Sequence, residues 1–277
     1  MDIAQAIALG VVQGLTEFIP VSSSGHLQLI PDLFGWQSPG TTFILFTHIG
    51  TLLALLIFFR KDLWQYAKAL FTLGKGSEEN KQDFHLIFKI VLATIPAGVV
   101  GLLLESKIDA FYTDQTIFPI PALITAILMG VVGILFILAD RWHRSHKRQL
   151  PQTRWVDAIT IGLSQIFALI RGISRSGVTI LTGQSLGLSR VAAAKFSFLM
   201  SIPILTATSV LAVYDLLKSE VLSQELILAN ILGMLAAFIS GWWAIRFLLG
   251  YLQKHGLSSF GWYRVIVSIV VILIIAL

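Results

Sequence analysis

The stretch Gln13-Gly14-Leu15-Thr16-Glu17-Phe18-Ile19-Pro20-Val21-Ser22-Ser23-Ser24-Gly25-His26 sets an acid, a proline, three serines and a histidine in the middle of an apolar segment spanning residues 3–35. Each half of that segment is about 14–18 residues, short of the roughly 20 that an α-helix needs to cross a bilayer. Proline at position 20 interrupts any single helix through the segment. Backbone released from helical bonding is tolerated at membrane depth only inside protein or beside a water-filled cavity. The stretch therefore predicts a re-entrant helical hairpin with its polar turn inside the molecule, the alternative being two kinked full spans.

The rest of the chain supports a membrane setting. Of 277 residues, 56% are hydrophobic and 13% charged, and the mean hydropathy is +0.82; a soluble domain is about 45–50% apolar and about 25% charged. A water-soluble globule is excluded. Six runs are long and apolar enough to span, at residues 41–59, 86–104, 118–139, 190–214, 226–249 and 260–277. A second broken segment, 156–188, is interrupted by Arg171-Gly172-Ile173-Ser174-Arg175-Ser176-Gly177. The expected fold is thus an all-α polytopic membrane protein, with six transmembrane helices and two re-entrant hairpins in a single domain, 1–277. The opening Met1-Asp2 lacks the positive n-region of a cleaved signal. The absence of cysteine removes disulfides, thiolate metal sites and a cysteine nucleophile.

The two broken segments match at an offset of 152: Gly10 with Gly162, Gln13 with Gln165, Val21 with Ile173, Ser22 with Ser174, Ser24 with Ser176 and Gly25 with Gly177. A re-entrant hairpin returns to its starting side, so three spans after each one leave the second half inverted. An inverted-topology repeat, residues 1–140 and 156–277, is expected, with its site near the midplane at the broken helices. Assigning loops alternately gives one side fifteen cations: Arg60, Lys61, Lys68, Lys75, Lys81, Lys89, Arg141, Arg144, Lys147, Arg148, Arg154, Arg190, Arg246, Lys254 and Arg264. The other side has Lys107 and Lys218. The positive-inside rule makes the first side cytoplasmic and places both termini outside. The net charge of +5 is then a topology signal rather than a nucleic-acid footprint, and no nucleic-acid partner is expected. Arg171, Arg175 and Lys195 fall near membrane depth, where a cation must be paired, hydrated or occupied by a ligand.

Gln13 and Glu17 share one helix face. An intramembrane acid is functional by default, as a metal ligand or proton carrier, unless it is a structural ion pair with Arg175 or Lys195. Ser22, Ser23 and Ser24 open the next half-helix, where they either cap it or help its free N–H groups bind an anion. With His26 they also supply a nucleophile and its base, unless His26 merely satisfies a carbonyl. The second turn adds Ser174, Arg175, Ser176 and Thr179, and arginine matches phosphate bidentately. Phosphate or carboxylate is the implied ligand, and phosphoryl transfer the chemistry that best fits one acid, one imidazole, hydroxyls and fixed positive charge. His48 is a lesser candidate to line the site. His85, His143, His146 and His255 are read as loop residues. Trp36, Trp64, Tyr66, Trp142, Trp155, Trp262 and Tyr263 are read as interfacial anchors.

The 13–26 stretch, with Gly172-Ile173-Ser174-Arg175-Ser176-Gly177-Val178-Thr179 and Gly187-Leu188-Ser189-Arg190, closely resembles the bacterial undecaprenyl-diphosphatase (bacitracin-resistance) family over essentially the whole chain. The resemblance implies a membrane hydrolase that converts undecaprenyl diphosphate to undecaprenyl phosphate and inorganic phosphate for cell-wall synthesis, conferring bacitracin resistance. It implies a divalent cation, Mg²⁺ or else Ca²⁺, with Glu17 as metal ligand. It further implies Glu17, Ser23, His26 and Arg175 as catalytic residues, and Gln13, Ser22, Ser24, Ser174, Ser176 and Thr179 as substrate-binding ones. The expected setting is the bacterial inner membrane with the site facing outward, the lipid diphosphate as partner, and a homodimer as the one protein assembly entertained. The serine attacks with His26 as base, or His26 itself attacks. A polyprenyl-phosphate transporter or flippase using the same anion cradle is the competing reading. One departure stands out: Arg171 occupies the position where the family motif opens with proline. It could bind a further phosphate oxygen, pair with Glu17 or point to the cytoplasmic mouth.

Overall fold

The computed structural model of the chain describes residues 1–141, 148–218 and 224–277, and its described residues are helical with no strand beyond one isolated bridge between Arg148 and Leu188. Trp142, read above as an interfacial anchor, and His143, Arg144, His146 and Lys147, read as loop residues, lie outside the described residues. The elements are α1 (Ile3–Phe18), α2 (Ser23–Phe34), α3 (Thr41–Phe58), α4 (Arg60–Phe71), α5 (Glu78–Thr113), α6 (Ile120–Arg141), α7 (Trp155–Gln165), α8 (Arg175–Ser185), α9 (Arg190–Lys218), α10 (Gln224–Tyr251) and α11 (Ser258–Ala276). Six of them, α3, α5, α6, α9, α10 and α11, are long and apolar enough to cross a membrane, and each falls on one of the six apolar runs. The shorter apolar helices occupy the two broken segments.

Two features of the 60–85 region differ from the loop that the sequence suggested. Arg60–Phe71 forms α4, which buries Tyr66 and Ala69 while exposing Trp64 and Phe71 beside Arg60, Lys61 and Lys68. Its charge density hides it from a search for spanning runs, yet cations beside exposed aromatics are the pattern of an interfacial helix. α5 begins at Glu78 because Ser77 Oγ accepts the Asn80 N–H at 3.2 Å, with Glu78 and Glu79 favourably placed in the first turn. His85 is consequently helical.

Both breaks are built the same way. α1 ends at Phe18, and Ser22, at φ 78°, caps α2 by accepting the Gly25 N–H at 3.3 Å. α7 passes through a 3₁₀ turn at Ile166–Leu169, and Ser174, at φ 75°, caps α8 by accepting the Gly177 N–H at 3.1 Å. A serine at positive φ is uncommon and costs on the order of 1–3 kcal/mol, so two in matching caps mark turns held by their surroundings. α1 packs on α2 and α10, α7 on α8 and α5, α6 on α11, and α3 on α9 and α10. A Cβ on Gly10 would lie 2.3 Å from the Gly233 carbonyl oxygen, and one on Gly162 2.5 Å from that of Ala93. Glycine thus lets α1 touch α10, and α7 touch α5, backbone to backbone.

What holds the two breaks against each other is Arg264, in the second turn of α11. It is 0% exposed. Nε donates to the Met129 carbonyl of α6 at 3.1 Å and Nη1 to that of Pro20 at 3.3 Å. Nη2 donates to Gly172 at 2.6 Å and Ile173 at 3.3 Å. The guanidinium also lies 5.5 Å from the centroid of the Phe136 ring. Its placement corrects the loop assignment given to Arg264 in the charge count. Lys89 needs the same correction, being 8% exposed within α5, with its ammonium 5.5 Å from the Trp155 ring centroid. Arg148 and Arg154 remain at that helix-end level, both bonded to the buried Asp157.

Replacing Arg264 with methionine roughly keeps the volume but strands carbonyls of both breaks, at about 1–3 kcal/mol for each buried group left unpaired. Arg264→Met is expected to lower unfolding stability in detergent by roughly 3 kcal/mol or more, read by thermal or denaturant melts. A change within about 0.5 kcal/mol of the parent chain, as is usual for surface sites, would refute the clamp.

Candidate active site

Glu17 is the centre of the site. It lies near the end of α1 and is 8% exposed. Its neighbour one turn earlier, Gln13, donates through Nε2 to Oε2 at 3.1 Å. Ser23, the first residue of α2, donates through Oγ to the same oxygen at 2.7 Å. Arg175, the first residue of α8, donates through Nη2 to Oε1 at 2.7 Å. Ser23 and Arg175 are themselves 152 positions apart, so the equivalent residue of each cap grips one carboxylate. The Glu17–Arg175 pair, rather than one with Lys195, is the ion pair formed. Lys195 is half-buried and pairs with no carboxylate among the described residues.

The site leaves functional groups unspent. Arg175 Nη1 is a buried donor without a partner, and Gln13 Oε1 a buried acceptor without one. The first N–H groups of α2 and α8, at Ser23, Ser24, Arg175 and Ser176, have no acceptor within their helices. Each helix also carries its positive dipole end here. Buried unpaired groups of this kind are costly in an empty site and are satisfied by a ligand that brings oxygen atoms or a cation.

The remaining predicted residues divide. Ser22 and Ser174 spend their hydroxyls on the caps, and lie 3.4 and 3.3 Å from Ser24 Oγ and Ser176 Oγ. Ser24 is exposed and open to a ligand, whereas Ser176 is 1% exposed. Thr179 faces away, bonded to the Arg175 carbonyl and, at 2.7 Å, to Ser197 Oγ. His26 makes no contact with Ser23 or Glu17. Its Nδ1 meets the Ser22 carbonyl at 2.7 Å, so that nitrogen carries the proton and donates. Its Nε2 then accepts from the Tyr263 hydroxyl at 2.7 Å, with the two rings parallel within 7°. His48 of α3 bonds through Nδ1 to the Ile44 carbonyl at 2.7 Å and lies within electrostatic range of Glu17.

Tyr263 was read as an interfacial anchor; the structure makes it the partner of the site histidine. No local signal distinguishes it, since aromatics near run ends are ordinarily anchors. Arg264 did carry a signal, a charge inside a predicted span. Arg171 does not pair with Glu17. Its Nη2 pairs with Asp109 Oδ1 at 3.1 Å, and its guanidinium sits 4.8 Å from the Tyr112 ring centroid. Both partners belong to the end of α5 beyond its apolar portion.

Chemically, the site can lower the cost of deprotonating the Ser23 hydroxyl through Glu17 while Arg175 and two helix N-termini hold an anion. Among the described residues no group of three or more His, Asp or Glu converges to cage a metal ion. A cation here would be one bound by few protein oxygens and completed by phosphate, as Mg²⁺ commonly is.

Comparison with known proteins identifies the family to which the chain belongs. The family described as "Bacitracin resistance protein BacA" matches residues 6–270. Among its relatives, the undecaprenyl-diphosphatase of Pelotomaculum thermopropionicum is 39% identical over 276 residues, covering 100% of this chain and 98% of the relative. Those of Desulforudis audaxviator and Gemmatimonas aurantiaca are 40% and 39% identical over 274 and 271 residues, covering 99% and 98% of this chain and 98% and 97% of theirs. A match of this identity and extent places the protein in the BacA bacitracin-resistance family.

Proposed function

We propose that this multi-pass membrane protein hydrolyses undecaprenyl diphosphate to undecaprenyl phosphate and inorganic phosphate, returning the carrier lipid to cell-wall synthesis. The observation that carries the reading is the single buried carboxylate, Glu17, held at once by the Ser23 hydroxyl and the Arg175 guanidinium. Anion capture alone requires only the cradle. A hydroxyl donating to a buried carboxylate beside that cradle is the arrangement of an activated nucleophile.

Ser23 Oγ attacks the terminal phosphorus while its proton passes to Glu17 Oε2. The bond from that phosphorus to the bridging oxygen breaks, and undecaprenyl phosphate leaves. Glu17 passes that proton to the departing phosphate and, again a carboxylate, takes one from the water that attacks the phosphoserine; as the phosphorus–Oγ bond breaks, Glu17 returns the proton to Ser23 Oγ and phosphate is released. Arg175 Nη1 and the N–H groups at the starts of α2 and α8 take up the charge on the equatorial oxygens. Since Ser23 bonds to Glu17 and not to His26, the carboxylate is the base for attack. His26 is fixed by the Ser22 carbonyl and the Tyr263 hydroxyl. Glu17 and the free Gln13 Oε1 would hold a divalent cation, Mg²⁺ or Ca²⁺. Such a cation supplies charge neutralisation of the diphosphate.

The setting is proposed to be the inner membrane, with the two breaks as re-entrant hairpins of an inverted repeat. Matching caps at the 152-residue offset, and the paired packing of α1 on α10 and α7 on α5, support the repeat. The Lys/Arg bias, still thirteen against two without Lys89 and Arg264, supports a site that opens outward.

Ser23→Ala and Glu17→Gln are each expected to lower phosphate release from a long-chain prenyl diphosphate by ~10²–10⁴-fold in detergent. Rapid acid quench of the parent enzyme with labelled substrate should trap an acid-stable phosphoserine. An acid-labile adduct would assign attack to His26, and no adduct would assign it to water. Tyr263→Phe, which keeps the ring and removes only the hydroxyl, should reduce kcat by ~10-fold with little change in KM. Full kcat in that variant would show that the Ser22 carbonyl alone holds His26.

A further inference from the structure

The end of α10 and the residues just beyond it carry an arrangement that the hydrolytic site does not use. Trp243, Phe247, Tyr251 and His255 recur every fourth residue, and their rings stack. Centroids are 5.0 Å apart at 7° for Trp243 and Phe247, 5.7 Å at 28° for Phe247 and Tyr251, and 4.6 Å at 26° for Tyr251 and His255. Beside this rail runs a second stripe, Arg246, Gly250 and Lys254, also spaced by four. A Cβ on Gly250 would meet nothing within 4 Å, so the stripe reads cation, gap, cation. Rail and stripe together line an open groove of about 450 Å³.

Neither cation pairs with a carboxylate among the described residues. Arg246 rests 5.8 Å from the Trp242 ring centroid. Asp140, which packs under the adjoining loop at Gly256, is engaged by Ser258 and Arg190 instead. The apolar portion of α10 ends at Tyr251, so the gap at Gly250 lies at the level where hydrocarbon gives way to headgroups. Along the rail toward the membrane interior the exposed residues are Ile239, Leu235 and Ile231, at the same spacing of four.

We infer that this groove is a binding site for an anionic glycerophospholipid, its headgroup phosphate seated over Gly250 between Arg246 and Lys254 and one acyl chain laid along the Phe247–Trp243 rail. Two unpaired cations flanking a gap supply the charge complement, and basic groups at a helix end attract anionic headgroups. The flat stacked rings supply a smooth wall for a chain. Gly250 leaves the seat open, and a large side chain there would fill it.

Native mass spectrometry of the full chain in detergent tests this with added phosphatidylglycerol, phosphatidylcholine or polyprenyl phosphate. Phosphatidylglycerol should be retained over phosphatidylcholine, and the double substitution Arg246→Gln/Lys254→Gln should weaken its retention by ~10-fold or more. Gly250→Leu, which removes no charge, should do the same by filling the seat, while both variants keep the parental rate of phosphate release. Equal retention of phosphatidylcholine, parental retention in either variant, or preferential capture of polyprenyl phosphate would overturn the inference.

Discussion

A guanidinium with no carboxylate beside it, sealed from solvent and donating to carbonyls on three segments, is the interaction on which the site depends. Burying a cation is costly unless its donors are satisfied. Arg264 meets that requirement with backbone oxygens of Pro20, Gly172 and Ile173, which lie in the breaks, and of Met129 within α6. The need is mutual: the two broken helices expose carbonyls at depth, and the arginine supplies the donors. Because one planar fork touches both breaks, the distance between the turns is fixed by the dimensions of a side chain.

That distance decides the chemistry. With the turns set side by side, the first residue of α2 and the first residue of α8 both reach Glu17, and the two helix N-termini face a common volume. Phosphoryl transfer asks little covalent work of a protein and much positioning and charge stabilisation. The same α11 turn that clamps the breaks sends Tyr263 to His26, so adjacent residues of one helix order both the backbone frame and the imidazole. Substituting either therefore acts at the cradle, although neither contacts Glu17.

Much of this was legible in the sequence because the governing signals are local. Runs near 20 apolar residues gave six spans, and Pro20, Gly172 and the serines marked the breaks. The spacing of Gln13 and Glu17 put them on one face, and the matches at a 152-residue offset marked the two breaks as repeats of one another. The illegible parts are contacts across the chain. His26 and Tyr263 are 237 positions apart, and Tyr263 looks like any tyrosine near the end of a span. Arg171 and Asp109 are 62 apart, and nothing near either one names the other. Ser23 was assigned to His26 because they are neighbours in sequence. The helix instead turns the imidazole back to its own cap carbonyl and leaves the hydroxyl to Glu17. α4 was missed because its charges place it among loops by any measure built to find spans.

The central claim is that two turns far apart in the chain form one cradle. The chain has no cysteine, so introduced thiols report without background. Ser23→Cys and Arg175→Cys in the same chain, treated with a short bis-thiol-reactive reagent, should form an intramolecular cross-link that needs both cysteines and is blocked by a prenyl diphosphate analogue. Failure to cross-link under conditions in which each single cysteine reacts with the reagent would contradict it.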